Sequence, residues 1–237
     1  MTENKERIAK IMAAAGLCSR RDAERWIMAG RVVLNGKILT TPACVIGPDD
    51  SVVVDGKPLA DKQPRRVWCY HKPAGLITSN RDPEGRPTIF DKLPKTLPRV
   101  VTVGRLDFNS EGLLLLTTDG GLARDLELPQ KGWKRKYRVR VHGTVTPEII
   151  KCLNAGVQIK NVRYAPCELE IERVQNTNTW VLMTLTEGKN REIRRLMDFF
   201  SLPVTRLIRI SYGPFQLGNL PAGSVREIPQ KALKELL

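Results

Sequence analysis

Apolar positions in the first sixty residues recur at helical spacing and then at strand spacing. Ile8, Ile11 and Met12 share one helical face. Ser19 stands as an N-cap before a second helix, Arg20 to Ala29, and Asp22 lies in its first turn, where negative charge suits the helix dipole. Gly30 is a natural residue to end that helix. Val32-Val33-Leu34 then runs into an Asn35-Gly36 turn and a return strand, and Val52-Val53-Val54 with Asp55-Gly56 repeats the hairpin signal. Residues 7–59 thus read as a compact α+β module, placing a first domain over residues 5–62. The polar stretch Asp61-Lys62-Gln63-Pro64-Arg65-Arg66 follows, and residues 63–66 read as a linker.

From Val67 a second unit, 67–237, mixes strands with helices. Strands are expected over 67–71, 100–103, 113–117, 136–142, 180–186 and 205–210. Helices are expected around 120–127, 146–155 and 190–200, the last from the spacing of Glu192, Ile193, Leu196 and Phe200. The two element types do not alternate regularly, which argues against a doubly wound parallel sheet. The expected class is α+β, with a largely antiparallel mixed sheet and flanking helices. The run Leu113-Leu114-Leu115-Leu116 must be deeply buried. No repeat or low-complexity tract is evident.

Charge narrows the function. The 237 residues carry a net charge of +14, which favours a polyanion partner. No apolar run approaches the roughly 20 residues of a membrane span, and the N-terminus has no signal-peptide core, so a cytoplasmic protein without a membrane partner is expected. The five cysteines, Cys18, Cys44, Cys69, Cys152 and Cys167, form no CxxC pair. They read as small hydrophobes in a reducing compartment, not as a metal or disulfide framework. His71 and His142 are too few for a histidine-based metal site. No nucleophile elbow, phosphate-binding loop or glycine-rich nucleotide loop is present, which disfavours hydrolases of that type, NTPases and methyltransferases.

Four segments carry candidate chemistry. Gly104-Arg105-Leu106-Asp107 sets one carboxylate in a turn beside the leucine strand. A carboxylate repels phosphate, so a simple RNA clamp would not choose it, whereas chemistry at a ribose would. Helix residues Arg20, Arg21 and Arg25 form rows of guanidinium groups suited to phosphates. Lys131-Gly132-Trp133-Lys134-Arg135-Lys136-Tyr137-Arg138-Val139-Arg140 interleaves cations with aromatics, and strand alternation puts Tyr137, Val139 and Val141 on one inward face. Thr186-Glu187-Gly188-Lys189-Asn190-Arg191-Glu192-Ile193-Arg194-Arg195-Leu196 crowds cations into the first turns of a helix, against its dipole. That local conflict suggests a role in holding anions or a carboxylate.

The Arg20–Trp26 helix with the hairpin Gly30–Lys37 resembles the S4 RNA-binding domain. Gly104–Asp107, Lys136-Tyr137 and Gly188–Arg195, in that order and spacing, resemble the motifs of the RsuA-type pseudouridine synthases. The stretches Asp82–Asp91 and Arg206–Ile210 look most like the RluB branch, which acts on large-subunit ribosomal RNA. One departure is Asn109-Ser110-Glu111, where relatives often carry Thr or Cys.

The resemblance implies breakage of the N1–C1′ bond of a uridine, rotation of the base and rejoining through C5. Asp107 would be the essential carboxylate, by attack on a sugar or base carbon, by stabilising positive charge on the ribose, or by deprotonating it. Arg194 would pair with Asp107, and Tyr137 would stack on the uracil and help remove the C5 proton. Arg105 would contact the flipped nucleotide or its phosphates. Lys134, Lys189, Arg191, Arg195, Arg206 and Arg209 would offset the cost of unstacking the base, on the order of a few kcal/mol. The reaction is an isomerisation, so neither cofactor nor metal is expected, and the expected partner of a monomeric enzyme is ribosomal RNA. Two alternatives stay open: a small-subunit synthase, and a non-catalytic S4-type assembly factor.

Overall fold

A computed structural model describes residues 5–128 and 132–236. The chain divides into two compact units. One comprises the chain up to Arg66 with Thr96–Val101 and Thr118–Gly120, and the other holds the remainder.

In the first unit, β1 (Glu6–Arg7) pairs with β4 (Val45–Ile46), and helices α1 (Ile8–Ala14) and α2 (Arg20–Met28) follow β1. A four-stranded sheet runs in the order β3 (Lys37–Ile38), β2 (Val32–Leu34), β5 (Val52–Val54), β6 (Lys57–Pro58). Ser19 and Asp22 form the reciprocal cap expected of α2: Asp22 N donates to Ser19 Oγ at 3.0 Å, and Ser19 N to Asp22 Oδ2 at 3.3 Å. Both hairpin turns place two successive residues at positive φ, Asn35 with Gly36 and Asp55 with Gly56, as the tight primed turns require. Ile8, Met12, Ala23, Ile27, Val32 and Val54 make the core. Residues 63–66 are not a free linker. Gln63 N donates to Ala14 O at 3.0 Å, and Pro64 O accepts from Thr118 Oγ1 at 2.8 Å.

The second unit contains β7 (Val67–Lys72), β8 (Val101–Val103), β9 (Glu111–Thr117), α3 (Gly120–Glu127), β10 (Arg135–His142), α4 (Pro147–Ala155), β11 (Val157–Ile159), β12 (Val162–Tyr164), β13 (Glu168–Gln175), β14 (Asn178–Leu185), α5 (Glu192–Phe199), β15 (Val204–Tyr212), β16 (Phe215–Gln216), β17 (Val225–Glu227) and α6 (Gln230–Leu236). Its main sheet is ordered β13-β14-β10-β15-β9-β7-β17 among the described residues. All these neighbours are antiparallel except β9 and β15, which run parallel. The hairpin β11–β12 and the strand β13 were not anticipated. Most of β13 is exposed, and its side chains lack the alternation that marks a half-buried strand.

Val139, Val141, Val181, Met183 and Leu207 from the sheet pack with Leu153 of α4 and Ile193, Leu196 and Met197 of α5. Strand β9 lies inside the sheet, and Leu113, Leu114, Leu115 and Leu116 are all fully buried, each contributing about 1.5–3 kcal/mol of burial. Gly112 is required where β9 meets β15: a Cβ there would stand 2.3 Å from Arg209 O. That close approach brings the 104–110 loop alongside β15.

Lys72, the last residue of β7, is fully buried. Its ammonium donates to Pro73 O at 3.0 Å, Asp107 O at 3.1 Å, Phe108 O at 3.3 Å and Ser110 O at 2.9 Å. Burial pushes its pKa down to about 8, against the pull of Asp107 and Glu111. A methionine there keeps the length but removes a hydrogen bond from each of four carbonyl groups. Lys72→Met should lower the unfolding free energy by about 2–4 kcal/mol in urea titration. A change below about 0.5 kcal/mol, the level of an ordinary surface substitution, would show that the ammonium does not organise the loop.

Candidate active site

A cavity of about 590 Å³ opens in the second unit, and every residue lining it belongs to that unit. Asp107 stands on its wall. The loop bearing it is fixed through its backbone: Thr78 Oγ1 donates to Leu106 O at 2.9 Å, Gly75 N to Phe108 O at 2.8 Å, and Ser110 N to Asp107 O at 3.0 Å. The carboxylate itself is 29% exposed and faces Arg191, whose Nη1 lies 3.7 Å from Oδ2. That is an ion pair without a direct hydrogen bond.

The expected pairing of Arg194 with Asp107 is therefore corrected. Arg194 is occupied elsewhere: Nη1 donates to Val204 O and Nη2 to Asn109 O, both at 3.1 Å. Burial and the neighbouring Arg191 push its pKa down, while Asp107 pulls it up, so its charge still acts on the acid from a distance. Arg191 takes the contact because it precedes α5 in the left-handed conformation, φ 51°, which directs its side chain differently from a helical residue.

Tyr137 is half-buried, packs against the core and lines the cavity. Its strand pairs with β15 through a bulge. Lys136 faces Ser211, Tyr137 faces Arg209, and Ile210 is left unpaired. The bulge decides what the cavity sees. Tyr212 and Arg209 are three apart and would point to opposite faces of a regular strand, yet both now line the cavity with Arg135 and Tyr137.

Lys189 pairs with Glu187 and its ammonium lies 5.6 Å from the Tyr164 ring centroid. Glu192, 5% exposed, accepts from Lys189 N at 2.8 Å through Oε2. Burial, then the neighbouring Glu187 carboxyl, pushes its pKa up to about 8, and its Oε1 is buried without a hydrogen-bond partner. Arg105 is exposed and lines the cavity, as does Arg209. The other expected contacts lie off it. Lys134 pairs with Glu168 at 3.0 Å, Arg206 holds both Glu111 oxygens at 2.9 Å, and Arg195 donates to Asn190 Oδ1 at 3.1 Å. Lys131, at the head of its basic segment, lies outside the described residues. Arg20, Arg21 and Arg25 are exposed on α2 of the first unit, where Arg25 also pairs with Asp22.

Among the cavity residues not singled out from sequence are Arg86, Arg135 and Tyr212. Arg86 is tied to Asp82 at 2.8 Å and Glu84 at 2.9 Å. Alternation could have found Arg135, since it shares a strand face with Tyr137, but nothing in sequence announces the bulge that recruits Tyr212. Among the described residues no group of three or more His, Cys, Asp or Glu is placed to hold a metal, and no helix is long and apolar enough to cross a membrane.

The raised pKa of Glu192 gives a test of the site's electrostatics. A carboxyl whose folded pKa is raised stabilises the fold below its unfolded value, near 4.5, and that contribution is lost as pH rises through about 8. Glutamine keeps a neutral donor and does not titrate. Glu192→Gln should therefore gain stability relative to the unsubstituted protein between pH 4.5 and 8, measured by denaturant titration across pH. A constant difference would mean that Glu192 is already ionised at neutral pH.

Comparison with known proteins agrees with this geometry. A family model described as RNA pseudouridylate synthase matches residues 66–199, and one described as S4 domain matches residues 6–52. An uncharacterized RNA pseudouridine synthase of Rickettsia bellii is 46% identical over 229 residues, covering 97% of this chain and 99% of its own. The ribosomal large subunit pseudouridine synthase B of Yersinia pestis is 42% identical over 242 residues, covering 98% of this chain and 76% of its own. A crystal structure of a pseudouridylate synthase superposes with a TM-score of 0.69 at 25% identity, covering 98% of this chain and 99% of that one. With an S4 domain ahead of the unit that holds Asp107, this chain belongs to the RNA pseudouridylate synthase family.

Proposed function

We propose that this protein converts a specific uridine of large-subunit ribosomal RNA to pseudouridine in the cytoplasm, with Asp107 as the essential carboxylate. The observation that carries the reading is a partly exposed carboxylate on a backbone-fixed loop, opening into a cavity that Arg105, Lys189, Arg191 and Tyr137 also line. The large-subunit target is supported by the likeness to the Yersinia pestis synthase and by the basic S4 domain.

Each group then has a task. Asp107 acts at the sugar while the N1–C1′ bond breaks, and Arg191 holds its direction. Tyr137 offers a ring on which the flipped uracil stacks. Lys189, Arg191 and Arg105 meet phosphates near the cavity, and Arg20, Arg21 and Arg25 meet phosphates further along the RNA. Lys134, Arg195 and Arg206 keep their protein partners and serve as weaker contacts.

Asp107→Asn should abolish tritium release from C5-labelled large-subunit ribosomal RNA while RNA affinity is retained. Normal turnover by this variant would overturn the assignment. Replacing Arg20, Arg21 and Arg25 together by Gln should weaken RNA binding and flatten its dependence on log salt by about two units, at roughly 0.7 to 0.9 per lost phosphate contact. An unchanged slope in filter binding would remove α2 from the interface.

A further inference from the structure

The cavity contains a charge arrangement that the roles above do not use. Arg135 and Arg209 lie against one ring, their guanidinium carbons 4.8 and 5.1 Å from the Tyr212 centroid. They are 8% and 3% exposed. Arg135 makes three hydrogen bonds, donating to Trp133 O at 3.3 Å, Thr186 O at 3.1 Å and Tyr212 Oη at 3.1 Å. Tyr212 in turn donates to Leu126 O at 2.7 Å, which fixes the ring. Arg209 makes a single hydrogen bond, from Nε to Leu113 O at 2.7 Å, and its Nη2 is buried with nothing to bond. Among the described residues, neither arginine has a carboxylate within ion-pair distance. The acids that line the cavity are engaged elsewhere: Asp107 with Arg191, Glu187 with Lys189, Glu127 with Gly104 N at 2.6 Å, and Glu192 with Lys189 N at 2.8 Å.

Burying a guanidinium with unused donors is costly, and a native protein retains such a group where an acceptor arrives from outside. The depth of the groups identifies that acceptor. A uridine within RNA is tethered through both phosphates, so its base enters first and its backbone stays at the mouth. Exposed Arg105 and half-exposed Arg191 are where phosphates can pair without losing all their water. The nearly inaccessible Arg209 lies where only the base reaches.

We propose that Arg209, braced by the Arg135–Tyr212 stack, is a catalytic residue that stabilises the uracil as a leaving anion; this rests on the synthase reading. When the N1–C1′ bond breaks, its electron pair stays on the uracil and spreads onto O2 and O4. The ribose is left electron-poor at C1′, beside Asp107. The Arg209 guanidinium bonds to a carbonyl oxygen whose charge exists only from the transition state onward, the arrangement that lowers a barrier without tightening ground-state binding. C5 then bonds to C1′, the C5 proton leaves, and N1 regains a proton, so the reaction balances as an isomerisation.

The test compares RNA carrying uridine with RNA carrying 5-fluorouridine at the target, in single-turnover reactions of the full-length protein followed by nucleoside mass spectrometry. Fluorine steadies the uracil anion by itself and makes it a better leaving group. Arg209→Gln should slow formation of the C5-linked nucleoside from uridine by about 10²–10³-fold with little change in KM. The loss on 5-fluorouridine RNA should be at least tenfold smaller, and Arg209→Lys should recover part of the uridine rate. Equal losses on the two bases would make Arg209 merely structural, and a raised KM with unchanged kcat would make it a phosphate contact; either overturns the proposal. Should Arg209→Gln fail to fold by circular dichroism, the base dependence of Arg209→Lys decides in its place. If the unsubstituted protein forms no C5-linked nucleoside, the synthase reading itself falls.

Discussion

Four consecutive carbonyl groups, those of Asp107, Phe108, Asn109 and Ser110, all accept hydrogen bonds from buried or half-buried cations. Lys72 takes three of them and Arg194 the fourth. Four successive carbonyls aimed at cations leave this loop one conformation, and that conformation sends the Asp107 side chain into the cavity. One cation comes from the end of β7 and the other from α5. A free ammonium would prefer water; here the carbonyls replace its hydration, so burial is tolerable only while the loop keeps this shape. The Asp107 loop and the core therefore form one cooperative object, and disorder in the loop would strand a charge in the interior.

The site is sorted by depth. Exposed cations stand where a phosphate can reach them wet, Asp107 lies further in, and Arg135 and Arg209 are almost closed off. The sorting traces to one irregularity, the unpaired Ile210 of β15, which places Arg209 and Tyr212 on the face that holds Arg135 and Tyr137. Regular pairing would send one of the two away. It would also move the backbone of Arg209, against which Gly112 fits only because it lacks a side chain.

Much of this was legible in sequence, for identifiable reasons. Ser19 and Asp22 announce α2 because a cap is local chemistry, and Asn35-Gly36 announces its hairpin because only a turn needs positive φ twice running. The leucine run revealed a strand buried on both faces. What remained hidden was non-local. The resemblance implied Arg194 as the partner of Asp107, but a half-buried guanidinium there finds backbone carbonyls first. Arg191 reaches the acid by a left-handed residue that no periodicity shows. Strand β13 escaped because an exposed edge lacks alternation, and the cavity roles of Arg135 and Tyr212 depend on a register shift that appears only once the strands are paired.

The start of α5 shows how a local conflict is sustained. Arg191, Arg194 and Arg195 crowd the positive end of the helix dipole, and the acid that should relieve them, Glu192, is held as a neutral carboxyl beside Glu187. By propensity alone this is a poor helix start. It persists because Ile193, Leu196 and Met197 are buried one turn later among sheet residues, and burial of three such side chains is worth about 4–9 kcal/mol, more than the dipole conflict costs at about 0.3–1 kcal/mol per charge. The core thus holds a cluster of cations whose mutual repulsion would otherwise fray the helix. An incoming RNA phosphate relieves that repulsion, so the energy that stabilises the fold also prepares the site for its polyanion.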